Sequence, residues 1–179
     1  RETATSIRKY VSRRRHYDML LPLRLTDGKT MRLTLADIQT RPTAINKDLS
    51  GGFGTSSDFG SSFASRLLKR AKKAAVCLPI LNLGYLAALL KRRGHEVSFT
   101  EGRPVAGTDL YIVYASLVEH CAEIDFASRM RALGVKVGFV GSFASARPDL
   151  FLPHADFVIA GEPEGAFLEA SDELDWSGI

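Results

Sequence analysis

From Leu78 onward, apolar residues switch between a helical period and short continuous runs, and the switches mark out a regular series of elements. Leu78 to Arg93 predicts a helix, with Leu83, Leu86, Ala87 and Leu90 on one face. Lys91, Arg92 and Arg93 suit the negative end of that helix, and Gly94 supplies its stop. Glu96 to Thr100 reads as a short strand. Asp109 to Ala115 is almost continuously apolar, as expected of a strand buried on both faces. Glu123 to Leu133 predicts a helix ended by Gly134, and Val135 to Val140 a further buried strand followed by Gly141-Ser142. Arg147 to Leu152 predicts a short helix opened near Pro148. Asp156 to Ala160 predicts the last strand, running into Gly161-Glu162-Pro163-Glu164. Ahead of this series, Met31 to Ala36 alternates apolar and polar residues and reads as the first strand. That strand could also pair backwards with Leu20 to Leu25 across the Asp27-Gly28 turn, and the sequence leaves both pairings open.

Strands alternating with helices imply βαβ units, a parallel sheet and right-handed crossovers. The expected fold is a flavodoxin-like, doubly wound α/β domain, with a five-stranded sheet in the order 2-1-3-4-5 and helices on both faces. Ligands of such folds bind beyond the carboxyl ends of the strands, at the switch point between strands 1 and 3. Four segments then become candidate ligand loops: Asp37 onward, Ser116 to His120, Gly141 to Ser145, and Gly161 to Glu164. The first runs from Asp37 to about Ser65 and is rich in Gly, Ser, Thr and Asn. Loops this long are usually functional or disordered. A flexible linker is the plain reading, but Phe53, Phe59 and Phe63 are spaced through it, and linkers seldom carry such aromatics.

Composition adds limits. The chain has 179 residues, 45% of them hydrophobic and 25% charged, which suits one domain with an appendage. The net charge of +4 is unevenly placed, with Arg1, Arg8, Lys9, Arg13, Arg14 and Arg15 in one cluster and Arg66, Lys69, Arg70, Lys72 and Lys73 in another. Basic arms can bind phosphates, but such runs are usually solvated faces, and that is the reading taken here. Residues 1–29 form a basic extension, 30–168 the domain, and 169–179 the start of a linker. Cys77 and Cys121 have no metal-ligand spacing and suggest no disulfide framework, so a reducing, cytoplasmic setting is expected. No apolar run reaches the ~18 residues of a membrane span, and no membrane partner is expected.

Three segments carry a family resemblance. The run from Pro79 to Val97, with Leu83-Gly84-Tyr85-Leu86-Ala87 and Arg93-Gly94-His95-Glu96-Val97, resembles the corresponding motif of cobalamin-binding domains in radical SAM enzymes. Ile45 to Gly54 resembles the Asn-Lys-Asp and Gly-Gly-Phe-Gly segment of that group, and Asp156 to Glu164 resembles its Asp-Phe-Val-Ile-x-Gly-Glu-x-Glu strand end. The resemblance covers about Leu33 to Phe167. It implies a cobalamin-binding domain of a cobalamin-dependent radical SAM enzyme, of the methyltransferase-like class. Together with the strand-end loops, it gives as candidate cofactor-binding residues Gln39, Asn46, Gly51, Gly52, Phe53, Gly54, Ser116, Leu117, Val118, Glu119, His120, Gly141, Ser142, Phe143, Gly161, Glu162, Pro163 and Glu164. Related cobalamin domains place Asp-x-His-x-x-Gly after strand 1, with the His on cobalt. Here Asp37-Ile38-Gln39 stands in that place, which implies cobalamin without a His ligand from this position. The Ser-x-Leu and Gly-Gly motifs are represented by Ser116-Leu117 and Gly141-Ser142.

Chemistry beyond binding is missing from the sequence. A four-iron cluster needs three converging cysteine thiolates, and this chain has two cysteines in all. Cys121 beside His120 invites comparison with a nucleophile–base pair, but adjacent helical residues point apart, and a buried structural Cys is expected instead. Glu162 and Glu164 are expected to accept hydrogen bonds from a ligand rather than to act as an acid–base pair. The chain ends at Trp176-Ser177-Gly178-Ile179, where the family's catalytic barrel should begin. The expectation is therefore the front portion of a larger enzyme, or a stand-alone relic, with no turnover of its own. SAM and an iron–sulfur cluster would enter only with a catalytic domain, in cis or in trans. A receiver domain is disfavoured because Ala115-Ser116-Leu117 occupies the place of a phosphorylatable Asp. A nucleotide or sugar-nucleotide binding domain of a transferase remains open, although no Gly-x-Gly-x-x-Gly opens a helix. A nucleic-acid module using the N-terminal arginines is a further, less expected alternative.

Overall fold

The computed structural model describes residues 30–40, 60–75 and 81–169. Its strands are β1 (Arg32–Ala36), β2 (Glu96–Thr100), β3 (Leu110–Tyr114), β4 (Lys136–Val140) and β5 (Phe157–Val158). All pair in parallel, in the order β2-β1-β3-β4-β5. The helices are α1 (Phe63–Ala75), α2 (Leu81–Arg92), α3 (His120–Ala132), α4 (Ser142–Ala146), α5 (Pro148–Phe151) and α6 (Pro163–Glu169), with a 3-10 turn at Leu152–His154. The doubly wound α/β fold expected from the sequence is the fold observed. β1 lies between β2 and β3, so both of its edges are taken. Leu20 to Leu25, the other partner considered for this strand, lie outside the described residues.

Strand alternation sorts the core into two layers. Leu33, Leu35, Leu110, Ile112, Tyr114, Val140, Phe157 and Ile159 face α2 and α6. Ala36, Tyr111, Val113, Ala115, Val137 and Phe139 face α3, α4 and α5. Period-two side chains buried on both faces are why these strands read as continuous apolar runs.

The long helices end as their sequences foretell. At α2, Gly94 (φ 87°) donates to the Lys91 carbonyl and His95 donates to that of Leu90. Gly134 (φ 79°) and Val135 repeat the pattern on Arg131 and Met130 at the end of α3. Both are Schellman closures, in which the left-handed residue is far less strained as glycine.

Several boundaries differ from expectation. α1 begins at Phe63, inside the stretch expected to be loop, because the Ser62 hydroxyl accepts from the Ser65 amide at 3.2 Å and caps it. α3 begins at His120 rather than Glu123. The segments after β4 and β5, expected as loops, turn within a residue or two into α4 and α6. β5 holds only two residues, because pairing stops once Ile159 has donated to Phe139. No helix among the described residues is long and apolar enough to cross a membrane.

Candidate functional site

At the carboxyl ends of β3, β4 and β5 lies a cleft of about 570 Å³. Leu83, Leu86, Tyr114 and Val140 give it an apolar floor, and Asn82, Ser142, Ser145 and Glu162 a polar rim. Among the described residues, no Lys or Arg lines it. The cleft lies beside the consecutive strands β3, β4 and β5 rather than at the expected switch point between β1 and β3. It opens where the chain leaves β4 and β5 toward opposite layers, Ala144 of α4 joining one and Ala166 and Phe167 of α6 the other.

Two glycines shape its mouth. Gly141 has φ 110°, and a Cβ there would lie 3.1 Å from the Ala115 carbonyl oxygen and 3.2 Å from the Tyr114 ring. Gly161 has φ 95° and nothing within 4 Å of an added Cβ. Its conformation favours glycine, and the space beside it is open. Ser145 joins the two: its hydroxyl donates to the Gly141 carbonyl at 2.8 Å and accepts from the Gly161 amide at 2.9 Å.

Of the residues singled out from the sequence, Gly141, Ser142, Gly161, Glu162 and Pro163 meet in this cleft. Glu164 follows in the first turn of α6, half-buried. Its carboxyl is pushed above the ordinary glutamate value by burial, held back in part by a hydrogen bond from its own backbone, and raised further by the neighbouring charge of Glu162.

The remaining residues sit elsewhere. Ser116 is buried: Glu123 accepts from its amide at 2.9 Å and from its hydroxyl at 2.8 Å, while Ser116 Oγ accepts from the Glu119 amide at 3.1 Å. Its polar atoms thus fasten β3 to the start of α3. Glu119 accepts from the Thr40 hydroxyl and ties the segment after β1 to the same place. Leu117 is exposed and Val118 half-buried beside it. Phe143 points away from the cleft lining, packing edge-on against His120 and Phe151. Gln39 donates to Asp37 at 2.8 Å and borders a separate depression with Thr100, Glu101 and Arg103. Asn46, Gly51, Gly52, Phe53 and Gly54 lie outside the described residues.

His120 and Cys121 correct the expectation about that pair. Cys121 is exposed, not buried, because α3 buries the stripe Glu123, Phe126, Ala127 and Met130, and Cys121 lies off it. The side chains also do not point apart: Cys121 Sγ lies 3.4 Å from His120 Nε2. His120 Nδ1 sits 2.9 Å from the Leu117 carbonyl, which can only accept. Nδ1 is therefore the donor to that carbonyl, which leaves Nε2 facing the thiol.

Most of the motif that resembles cobalamin domains is structural here. Leu83, Leu86, Ala87 and Leu90 are core. Arg93 donates to the Phe167 and Leu168 carbonyls in the last turn of α6. His95 is buried at the opposite end of the sheet, its Nδ1 accepting from the Met31 amide at 3.4 Å. Asp156 accepts from the Val137 amide at 2.8 Å, near the start of β4.

The sequence did not mark Asn82, Tyr114, Val140 or Ala146 as ligand residues, and Ser145 entered only as the end of the candidate segment Gly141 to Ser145. Ser145 carried one usable signal, a hydroxyl four residues after a strand-end glycine. The others reach the cleft only through tertiary packing. No protein-family model matches this chain, and no curated protein or solved structure is significantly similar to it.

Proposed function

We propose that this domain binds cobalamin, with an arm of the corrinoid in the cleft at the ends of β3, β4 and β5, and that it serves a radical SAM methyltransferase-type enzyme. One observation carries the reading. The Gly141-Ser142 and Gly161-Glu162-Pro163 segments, which resemble cobalamin-domain motifs, line one cleft with an apolar floor and an uncharged or acidic rim. Its volume is within the ~300–1,000 Å³ of ordinary ligand pockets, so it suits a planar group and a sugar rather than a whole macrocycle. Leu83, Leu86 and Val140 suit the faces of a flat ring. Glu162 and the Asn82 amide suit hydroxyl and amide donors, and Ser142 can do either.

Bound there, the corrinoid would supply its cobalt as the carrier of a methyl group. The chain's own part is to hold and orient. Gly141 keeps the mouth narrow beneath the ligand, and Ser145 fixes the spacing of the two strand ends. Gln39, turned toward Asp37, gives no support to a protein ligand for cobalt from that position. The proposed setting is the cytoplasm, on the sequence's lack of a disulfide framework. SAM and an iron–sulfur cluster belong to a catalytic domain that would act with this one.

A nucleotide-sugar reading fits less well, because a diphosphate would meet Glu162 and find no cation among the described lining residues. The test is an absorption spectrum of the chain after mixing with hydroxocobalamin and desalting. About one corrinoid per chain is expected to co-elute, and Ala146→Trp, which fills the cleft from an exposed position, is expected to prevent it. A colourless protein that retains a nucleotide sugar instead would transfer the cleft to that ligand.

A further inference from the structure

Helix α1 differs from every other long helix of the fold. Among its described side chains only Ser65 is buried; Phe63 is 80% exposed, Leu67 61% and Leu68 52%. At helical spacing its residues divide cleanly. Phe63, Ala64, Leu67, Leu68, Ala71, Ala74 and Ala75 occupy one arc, and Ser65, Arg66, Lys69, Arg70, Lys72 and Lys73 the other. The helix carries five cations and no acidic residue. An isolated helix of 13 residues is marginal in water, so this one calls for a second surface to cover its apolar arc.

We infer that α1 is an interfacial helix that lies on an anionic lipid bilayer, with Phe63, Leu67 and Leu68 in the headgroup–acyl boundary and the cations toward lipid phosphates. Strong amphipathicity, low overall hydrophobicity, Lys and Arg on one face and Phe and Leu on the other are the physical requirements of such helices. Long Lys and Arg stems can reach headgroups from a helix that lies in the plane of the interface.

Two other occupants fit the division of residues less well. A nucleic-acid backbone would use the cations and leave Phe63 and Leu67 in water. A protein groove needs large apolar anchors spread along the helix, whereas beyond Leu68 the apolar arc offers only alanine. A bilayer requires charge and apolar area without shape-matched pockets. The lack of a spanning segment, which argued against a membrane partner, bears on crossing a bilayer and not on resting against one.

The experiment is co-sedimentation of the full 179-residue chain with vesicles of phosphatidylcholine, with and without phosphatidylserine. Binding is expected only with phosphatidylserine, and is expected to weaken as salt rises. Arg66→Ala and Arg70→Ala are each expected to weaken it roughly fivefold. Phe63→Ser with Leu67→Ser is expected to abolish it at unchanged net charge, which separates α1 from the basic arm at residues 1–15. Both sites are exposed, and an unchanged urea midpoint would show that the fold is retained. Retention of hydroxocobalamin by the Phe63→Ser, Leu67→Ser variant is expected to match the parent, so the two proposals fail separately. The inference is overturned if vesicles do not bind, or if binding survives the double substitution. It is also overturned if the chain instead sediments with RNA in a manner indifferent to Phe63 and Leu67.

Discussion

At Ser145 a single hydroxyl donates to the Gly141 carbonyl and accepts from the Gly161 amide, so the ends of β4 and β5 are spaced by one side chain. Ser145→Ala removes both bonds. Because Gly161 is exposed, its amide can turn to water, and the loss of stability is expected to be only about 0.5–1.5 kcal/mol. The effect on the cleft should be larger than that figure suggests, since the mouth would no longer have fixed width. Roughly tenfold weaker retention of hydroxocobalamin is expected, equivalent to about 1.4 kcal/mol. Ser145→Thr, which keeps the hydroxyl, should recover most of it. A urea titration with unchanged slope and a binding titration together check the prediction, and equal binding by Ser145→Ala would show that the hydroxyl does not set the cleft.

Among the elements, the pairing of β4 with β5 depends on a glycine. Gly138 sits opposite Phe157 in the register, and the Phe157 ring lies over it. A Cβ at position 138 would fall 2.1 Å from ring atoms of a nearly buried phenylalanine. Gly138→Ala is therefore expected to destabilise by about 1–3 kcal/mol, the usual cost of overpacking. Adding Phe157→Leu should relieve part of that loss, as a double-mutant cycle of thermal midpoints would reveal. The same strands show what could be read in advance. β3 and β4 are buried on both faces, so their apolar runs were plain, with Gly94 and Gly134 as helix stops. Handedness assigned the crossovers to faces, and the strand order came from likeness to flavodoxin-like folds. α4 and α6 were hidden because each is short and begins directly at a strand-end motif that also reads as a loop. The start of α1 was masked by its Gly- and Ser-rich surroundings, although Ser62 was a visible cap. Gly141 and Gly161, which border the cleft, were legible as candidates because small residues at strand ends let the backbone approach a ligand closely. Asn82 and Tyr114 were not, because nothing local distinguishes them from neighbours that face the core. Arg93 and His95 lie in the same motif run without having been expected at a ligand, and they fasten the end of α6 and the start of β1.

At the scale of the whole molecule, the site is linked to global stability through charge. Glu164 is half-buried beside Glu162, and its carboxyl is raised above the ordinary value of 4.5, first by burial and then by that neighbouring charge, against a backbone hydrogen bond that lowers it. With a raised value in the fold, the native chain holds this proton at pH values where the unfolded chain has released it. The slope of unfolding free energy with pH is then negative between the two values. Glu164 thus takes stability away as pH rises from the ordinary glutamate value through its raised one, opposite to a carboxylate held by a salt bridge. Glu164→Gln is expected to raise the urea midpoint at neutral pH and to leave it unchanged below the ordinary glutamate range, where the carboxyl is protonated in both states. Glu162→Gln should give a smaller gain over the same window, because it removes the repulsion but not the burial. Midpoints measured for the parent and both variants from acid to neutral pH check the sign. A parent curve that rises through this window while the Glu164→Gln curve stays flat would mean that the carboxylate is stabilised in the fold rather than strained. If the cleft takes a hydroxyl donor onto Glu162, ligand binding should reduce its repulsion of Glu164 and shift the window toward lower pH. That ligand-dependent shift would tie the rim of the cleft to the stability of the domain as a whole.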